Sequence, residues 1–362
     1  MLPTSISPGA QRPWYERPPD APLVRGDRVD DRPVIGMACT PDEPRHRLLV
    51  KGEECLSAPP HRAVPDGDEA DGPVIERTGP APADRIAADD MRSAEELAPG
   101  LSEAVDLALS VMGVEGRFIR ALLDDVDSAR HHAWLVGGTV RDLVGDGAGA
   151  TPNDLDFAGT MAPHAMRDAM DRGLRAEGLG DYYLMENEIS MVCSVAPVLG
   201  EPRIVEYKPL EVKGFAFPVH GGDLVDDVTC RDLTINSLYY DHRRKIVLDP
   251  SGWGLPDLLA APRRLRTPYD GDDPLRRVAV VIRFLKFAFR MPDADRTPFA
   301  AWARALPPDL ADRVPEEKWR ALTGFWRHCL PGDLSARAVE LATADLGPGA
   351  GRVALVLHER SR

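Results

Sequence analysis

A chain of 362 residues, 43% of them hydrophobic, is long enough to close one large core or two medium ones. Its net charge of −14 excludes a protein coated in basic surface, so any nucleic acid it binds must be held by a local basic patch. The five cysteines, Cys39, Cys55, Cys193, Cys230 and Cys329, are widely spaced with no Cys-x-x-Cys pair, which argues against a disulfide framework or a structural zinc site and fits a reducing cytoplasm.

The N-terminus has no apolar run behind a basic start. The most hydrophobic stretch, Val278 to Phe289, is interrupted by Arg283 and Lys286, so neither a signal peptide nor a membrane span is expected. From Met1 to about Gly100 the chain is rich in Pro, Asp, Arg and Gly without sustained periodicity, the composition of a largely disordered tail with at best a short element around Arg47-Leu-Leu-Val50. Helical spacing begins at Leu101 and runs over two segments broken at Gly113 to Gly116. An apolar strand (Ala133 to Val136), a glycine turn, a helix (Val140 to Val144), a Gly-rich loop and a second strand (Leu155 to Ala158) follow. Pro163 opens a helix to about Leu174, Ile189–Val195 and Arg203–Tyr207 read as strands, and Leu233–Tyr240 reads as a helix. Beyond Asp272 the signal is helical, first through Pro274 to Phe289 and then in short pieces between prolines. The fold class expected is α+β: a small mixed sheet flanked by helices, then a short helical neck. The expected boundaries are a tail over 1–100, a head over 101–258 and a neck with the C-terminal region over 259–362.

Leu135-Val-Gly-Gly-Thr-Val-Arg-Asp142 puts two glycines where a buried strand gives way to a helix. Such a turn either is purely structural or leaves amide donors, with Arg141, free to meet phosphate oxygens. In Asp154-Leu-Asp156, residues i and i+2 of a strand share a face, and two carboxylates there repel unless a cation lies between them; the alternative is a solvated loop or a helix cap. Mg²⁺ suits such oxygen ligands. Glu206 lies mid-strand in Arg203-Ile-Val-Glu-Tyr207, as a third ligand or as an outward residue paired with Arg203 or Lys208.

Together these segments resemble the class II template-independent RNA nucleotidyltransferases, the bacterial-type poly(A) polymerases and CCA-adding enzymes. Three more segments carry the resemblance: Arg231-Asp-Leu-Thr-Ile-Asn-Ser-Leu-Tyr-Tyr-Asp241, Leu248-Asp-Pro-Ser-Gly-Trp-Gly-Leu-Pro-Asp-Leu258 and Asp272-Asp-Pro-Leu-Arg276. The resemblance implies that Asp154, Asp156 and Glu206 hold two Mg²⁺ ions for catalysis. It implies that Gly137, Gly138 and Arg141 hold the triphosphate, and that Asp232, with Arg231 and Asn236 around it, reads the ribose. Asp273 and Arg276 would read the base of ATP, or of CTP. The same residues have plainer uses, since Asp232, Thr234 and Asp272-Asp-Pro can also cap helices. The implied activity is transfer of AMP, and of CMP where CTP is used, to the 3′ end of RNA, with tRNA as the acceptor.

Several positions depart from the family pattern. Cys230 stands where an Arg is usual, no Arg follows Glu206, Ala279 replaces a neck Arg, and Asp272 replaces a Glu. The roughly seventy residues after Met291 are fewer than a full tRNA-gripping body, and the basic patch is confined to Arg263, Arg264, Arg266, Arg276, Arg277, Arg283, Lys286 and Arg290. These departures keep two alternatives open: transfer of a nucleotide to a protein or small molecule, and a non-catalytic nucleotide- or RNA-binding relative.

Overall fold

The structure is a computed structural model that describes residues 83–147, 155–187, 192–198, 203–212 and 221–362, with four short strands between 23 and 56. Those strands are β1 (Leu23–Arg25) with β2 (Ile35–Met37), a separate antiparallel pair, and β3 (His46–Val50) with β4 (Glu53–Leu56). The expectation for residues 1–100 otherwise falls mostly outside the described residues.

One mixed sheet organises the molecule, in the order β4-β3-β8-β9-β10-β7-β6-β11-β12-β5. Its remaining strands are β5 (Met91–Ser93), β6 (Ala133–Val136), β7 (Asp156–Gly159), β8 (Tyr183–Asn187), β9 (Val192–Ala196), β10 (Val205–Pro209), β11 (Tyr239–Asp241) and β12 (Ile246–Leu248). The expected fold class therefore stands, with a larger sheet than the sequence suggested. The expected helix over 233–240 is a correction. Only a single 3-10 turn forms, Thr234–Asn236, after which Tyr239 and Tyr240 pair with Val136 and Leu135 on one side and Leu248 and Val247 on the other. Two buried tyrosines fit a pleated surface better than a helix, and Ser237 Oγ turns back onto the Leu233 carbonyl at 2.7 Å to end the turn.

Alternation along the strands sorts side chains onto two faces. Leu135, Phe157, Val205 and Tyr207 join the main core with α3 (Val114–Ser128) and α5 (Pro163–Ala176). Trp134, Val136, Ala158 and Tyr239 point the other way, into a smaller cluster closed by Ile86 and Leu224. Leu224 belongs to α6 (Leu224–Val228), whose N-cap Asp223 accepts from the Val225 N–H at 2.7 Å. Short α1 (Ala94–Leu97) and α2 (Leu101–Val111) lead from β5 into α3.

The neck is α8 (Pro274–Arg290), with nine buried residues from Val278 to Ala288. Pro274 at its first turn and Asp273 as N-cap, accepting from the Leu275 N–H at 3.0 Å, fix where it starts. It carries the main core onward into α9 (Thr297–Arg304), α10 (Trp319–Cys329), α11 (Asp333–Asp345) and α12 (Pro348–Ser361). Phe284 stacks on Phe299 with ring centroids 3.7 Å apart, and buried Trp326 donates to Ser335 Oγ at 2.7 Å. Among the described residues no helix is long and apolar enough to cross a membrane.

Candidate active site

The glycine turn joins β6 to α4 (Gly138–Asp146). Gly137 sits at φ +76°, a conformation a side chain resists, and an added Cβ would lie 3.1 Å from Asp156 Oδ2. The turn and the carboxylate are thus in contact. Strand register supplies the second carboxylate: in the parallel β10–β7 pair Glu206 is the partner of Asp156, so the two side chains project from one face as neighbours. Both are partly exposed, on the face shared with Val136 rather than with the main core.

Asp154 lies outside the described residues, so a convergence of all three carboxylates is not part of the described geometry. Among the described residues no group of three or more His, Cys, Asp or Glu forms a metal cluster. The donor set that is present nevertheless suits a hard divalent cation. It consists of two adjacent carboxylates on paired strands, open on one side and backed by a glycine that keeps Cβ out. Glu206 Oε2 also accepts from Arg203 Nη1 at 2.7 Å, the neighbour its sequence position anticipated.

Arg141, 4% exposed, is held below its usual pKa by burial, against the attraction of Asp142. Its Nε donates to Asp142 Oδ1 and its Nη1 to Asn236 Oδ1, each at 2.7 Å. Asn236 Nδ2 reaches Asp232 Oδ1 at 3.3 Å, and Asp232 Oδ2 accepts from Arg283 Nε at 2.6 Å. A continuous chain of polar contacts therefore runs from α4 to the neck. Burial favours the neutral form of Asp232, but the charge and hydrogen bond of Arg283 with the Leu233 N–H and Asn236 outweigh it and hold the carboxyl below its ordinary range.

The remaining expected residues are engaged within the chain, two of them in ion pairs and one as a helix cap. Arg231 is bound to Asp227, its Nε 2.9 Å from Oδ2, and lies over the Tyr239 ring, whose hydroxyl also donates to Asp227. Asp273 serves as the helix cap described above. Arg276 pairs with buried Glu211, which also binds Lys208. Burial would raise the Glu211 pKa, yet Lys208 and Arg276 bring it down to about 2. Thr234 Oγ1 donates to Asp257 Oδ2 at 2.8 Å and so ties the turn to α7 (Gly254–Leu259) instead of capping it. Sequence reasoning missed Asp227, Glu211 and Phe287. No local pattern marks the two acids, whereas Phe287 lies one turn beyond Arg283 and seven residues before Ala294, a spacing from which only its burial could be read.

Residues 133–262 match the family of the Poly A polymerase head domain. Over this segment the chain is similar to that head domain. The chain is 31% identical over 166 residues to a CC-adding tRNA nucleotidyltransferase of Geobacter sulfurreducens, an overlap of 44% of this chain and 33% of that protein. A solved CCA-adding enzyme in its apo form II is similar in fold, with a TM-score of 0.50 at 21% identity over 71% of this chain and 56% of its own. The chain thus spans about a third of the length of the curated relative. The matched head begins at Ala133, the first residue of β6, and ends just after α7, so the glycine turn, Asp156, Glu206, Arg231 and Asp232 all lie inside it. Asp273 and Arg276 lie beyond it, on the neck.

Proposed function

We propose that this chain transfers a nucleoside monophosphate from ATP, and from CTP where it is accepted, to the 3′ end of an RNA, with tRNA as the acceptor. The observation that carries this reading is Asp156 beside Glu206 on paired strands, in contact with the Gly137 turn, inside a head of the nucleotidyltransferase family. Asp154, Asp156 and Glu206 would hold Mg²⁺, which neutralises phosphate charge and makes the attacking hydroxyl easier to ionise. The chain's own residues do the rest. The first amides of α4, at Gly138 and Thr139, offer donors at a helix N-terminus to phosphate oxygens, and the missing Cβ of Gly137 lets phosphate approach. Asp232, kept ionised by Arg283, is an acceptor for the ribose hydroxyls, and its anchoring through Asn236 and Arg141 fixes its distance from the glycine turn. Arg276 reads a base only by sharing its guanidinium with Glu211.

A second reading, transfer to a protein or small-molecule acceptor, draws support from the basic patch. Arg263, Arg266, Arg276, Arg277 and Arg283 are all engaged with carboxylates or carbonyls of the chain itself, which leaves fewer cations for RNA phosphates. One experiment separates the two. The full chain is incubated with Mg²⁺, labelled ATP or CTP, and tRNA transcripts ending before, within or after CCA. Label in RNA that disappears with D156A supports the first reading. Pyrophosphate release without labelled RNA supports the second, and nucleotide binding without turnover defeats both.

A further inference from the structure

The face of α8 that meets the head carries more positive charge than its neighbours neutralise. Arg283, Lys286, Phe287 and Arg290 follow one another at helical spacing, so they form one stripe. Arg141 reaches the same stripe from α4, its guanidinium 4.9 Å from the Phe287 ring centre, while Arg283 and Arg290 each lie 5.5 Å from it. Arg141 is paired with Asp142 and Arg283 with Asp232. Lys286 and Arg290 have no carboxylate within ion-pair distance among the described residues. Arg290 is exposed, but Lys286 is only 7% exposed, and its Nζ is buried without any hydrogen-bond partner.

An ammonium withdrawn from water without an acceptor costs several kcal/mol, so a protein that retains one there usually supplies it with an anion. The groups around it agree. Burial and then the charge of Arg283 bring the Lys286 pKa down to about 8, with Arg290 acting in the same sense and Cys329 of α10 and Asp232 opposing. An arriving anion would restore the charged form. Asp232, through Arg283, lies at the same stripe as this cation, and Arg290, one turn beyond Lys286 on α8, is exposed.

We propose that Lys286, flanked by Arg290, binds the terminal phosphates of a nucleoside triphosphate across the head–neck junction; this rests on the nucleotidyl-transfer reading above. Lys286 discriminates triphosphate from monophosphate and contributes nothing to recognition of base or ribose.

The test measures binding of inorganic tripolyphosphate, ATP, AMP and a short oligoribonucleotide to the full chain, to K286M, to K286R and to R290A. K286M is expected to weaken tripolyphosphate and ATP by about tenfold or more and AMP by less than about twofold, with K286R restoring most of the loss. R290A, a surface change that should leave the fold intact, is expected to weaken the same two ligands several-fold and serves as the second variant where K286M does not fold. Equal losses for ATP and AMP, no loss at all, or a loss confined to the oligoribonucleotide overturn the proposal. Lys286-dependent tripolyphosphate binding without nucleotide incorporation leaves the subsite standing and removes the transferase reading. Incorporation that is indifferent to Lys286 does the reverse.

Discussion

In the head, Asp156 and Glu206 stand together because two strands pair in register, and one side of the pair stays partly open. In the neck, Arg276 and Arg283 leave α8 at separate points, and each is closed on a carboxylate, Glu211 or Asp232, before any substrate arrives. The paired strands thus set two like charges side by side, with Arg203 on Glu206, whereas each of these neck arginines is matched by a carboxylate of opposite charge. Deleting Asp156 should therefore remove chemistry with little structural cost, and deleting Glu211, which only holds a neck arginine, should cost stability with a smaller loss of chemistry.

The largest effect tests the head side of this contrast. D156A is expected to lower nucleotide incorporation by about a thousandfold or more, since metal-assisted charge stabilisation contributes several kcal/mol to the barrier and each 1.4 kcal/mol is about tenfold. Its thermal midpoint should stay close to that of the parent, because relieving repulsion offsets the lost contacts. A large fall in melting temperature would show that the carboxylate has a structural task instead. G137A comes next. A Cβ at φ +76°, placed 3.1 Å from Asp156 Oδ2, is expected to cost about 1–2 kcal/mol of stability. Incorporation should fall by about a hundredfold, as the turn and the carboxylate move apart. Denaturant unfolding and single-turnover incorporation read the two effects separately.

The contrast also accounts for what could be read in the sequence. The strand at Ala133–Val136, the helix at Pro163 and the neck helix from Pro274 carry period, proline and capping signals within a few residues, and all three formed where those signals put them. Asp156 and Glu206 were legible because strand alternation assigns a face, although their mutual register depends on a pairing fifty residues apart. The 233–240 segment misled because Leu233, Ile235, Leu238 and Tyr239 all carry apolar side chains, while tertiary pairing with β6 and β12 decided the outcome. The partners of Arg231, Arg276 and Arg283 were not legible at all. Ion pairs that join separate elements leave no periodicity, so nothing in the sequence marks Glu211 as the partner of Arg276.

At the contact between Glu211 of the head and Arg276 of the neck, E211Q offers a pH signature. The folded carboxyl of Glu211 has a pKa of about 2, below the ordinary value of 4.5, so folding favours its charged form. Its contribution is complete above about pH 4.5 and fades as pH falls from there toward 2. Urea midpoints of the parent should therefore drop across that window, and those of E211Q should drop less while starting lower at pH 7. Incorporation by E211Q at pH 7 is expected to stay within about tenfold of the parent, since Arg276 is loosened and the head carboxylates are untouched. An unchanged acid limb would mean that Arg276 and Lys208 do not hold this carboxylate.

The smallest expected effect on activity lies farthest from the head. Ser335 Oγ accepts from Trp326 Nε1 and contacts His358 Nδ1, both at 2.7 Å, and so links α10, α11 and α12 through one hydroxyl. S335A removes that hydroxyl and leaves the indole N–H of the fully buried Trp326 without an acceptor, at a cost of about 1–3 kcal/mol. Because α10 packs against α8, the loss reaches the neck only as looser packing, and the head–neck hydrogen bonds through Asp232 remain. Chemical unfolding should shift by this amount while incorporation per folded molecule stays unchanged. A parallel fall in incorporation would instead tie the C-terminal helices to the position of Arg283 and Lys286, and the division between a head that does chemistry and a neck that holds charge would have to extend to α10.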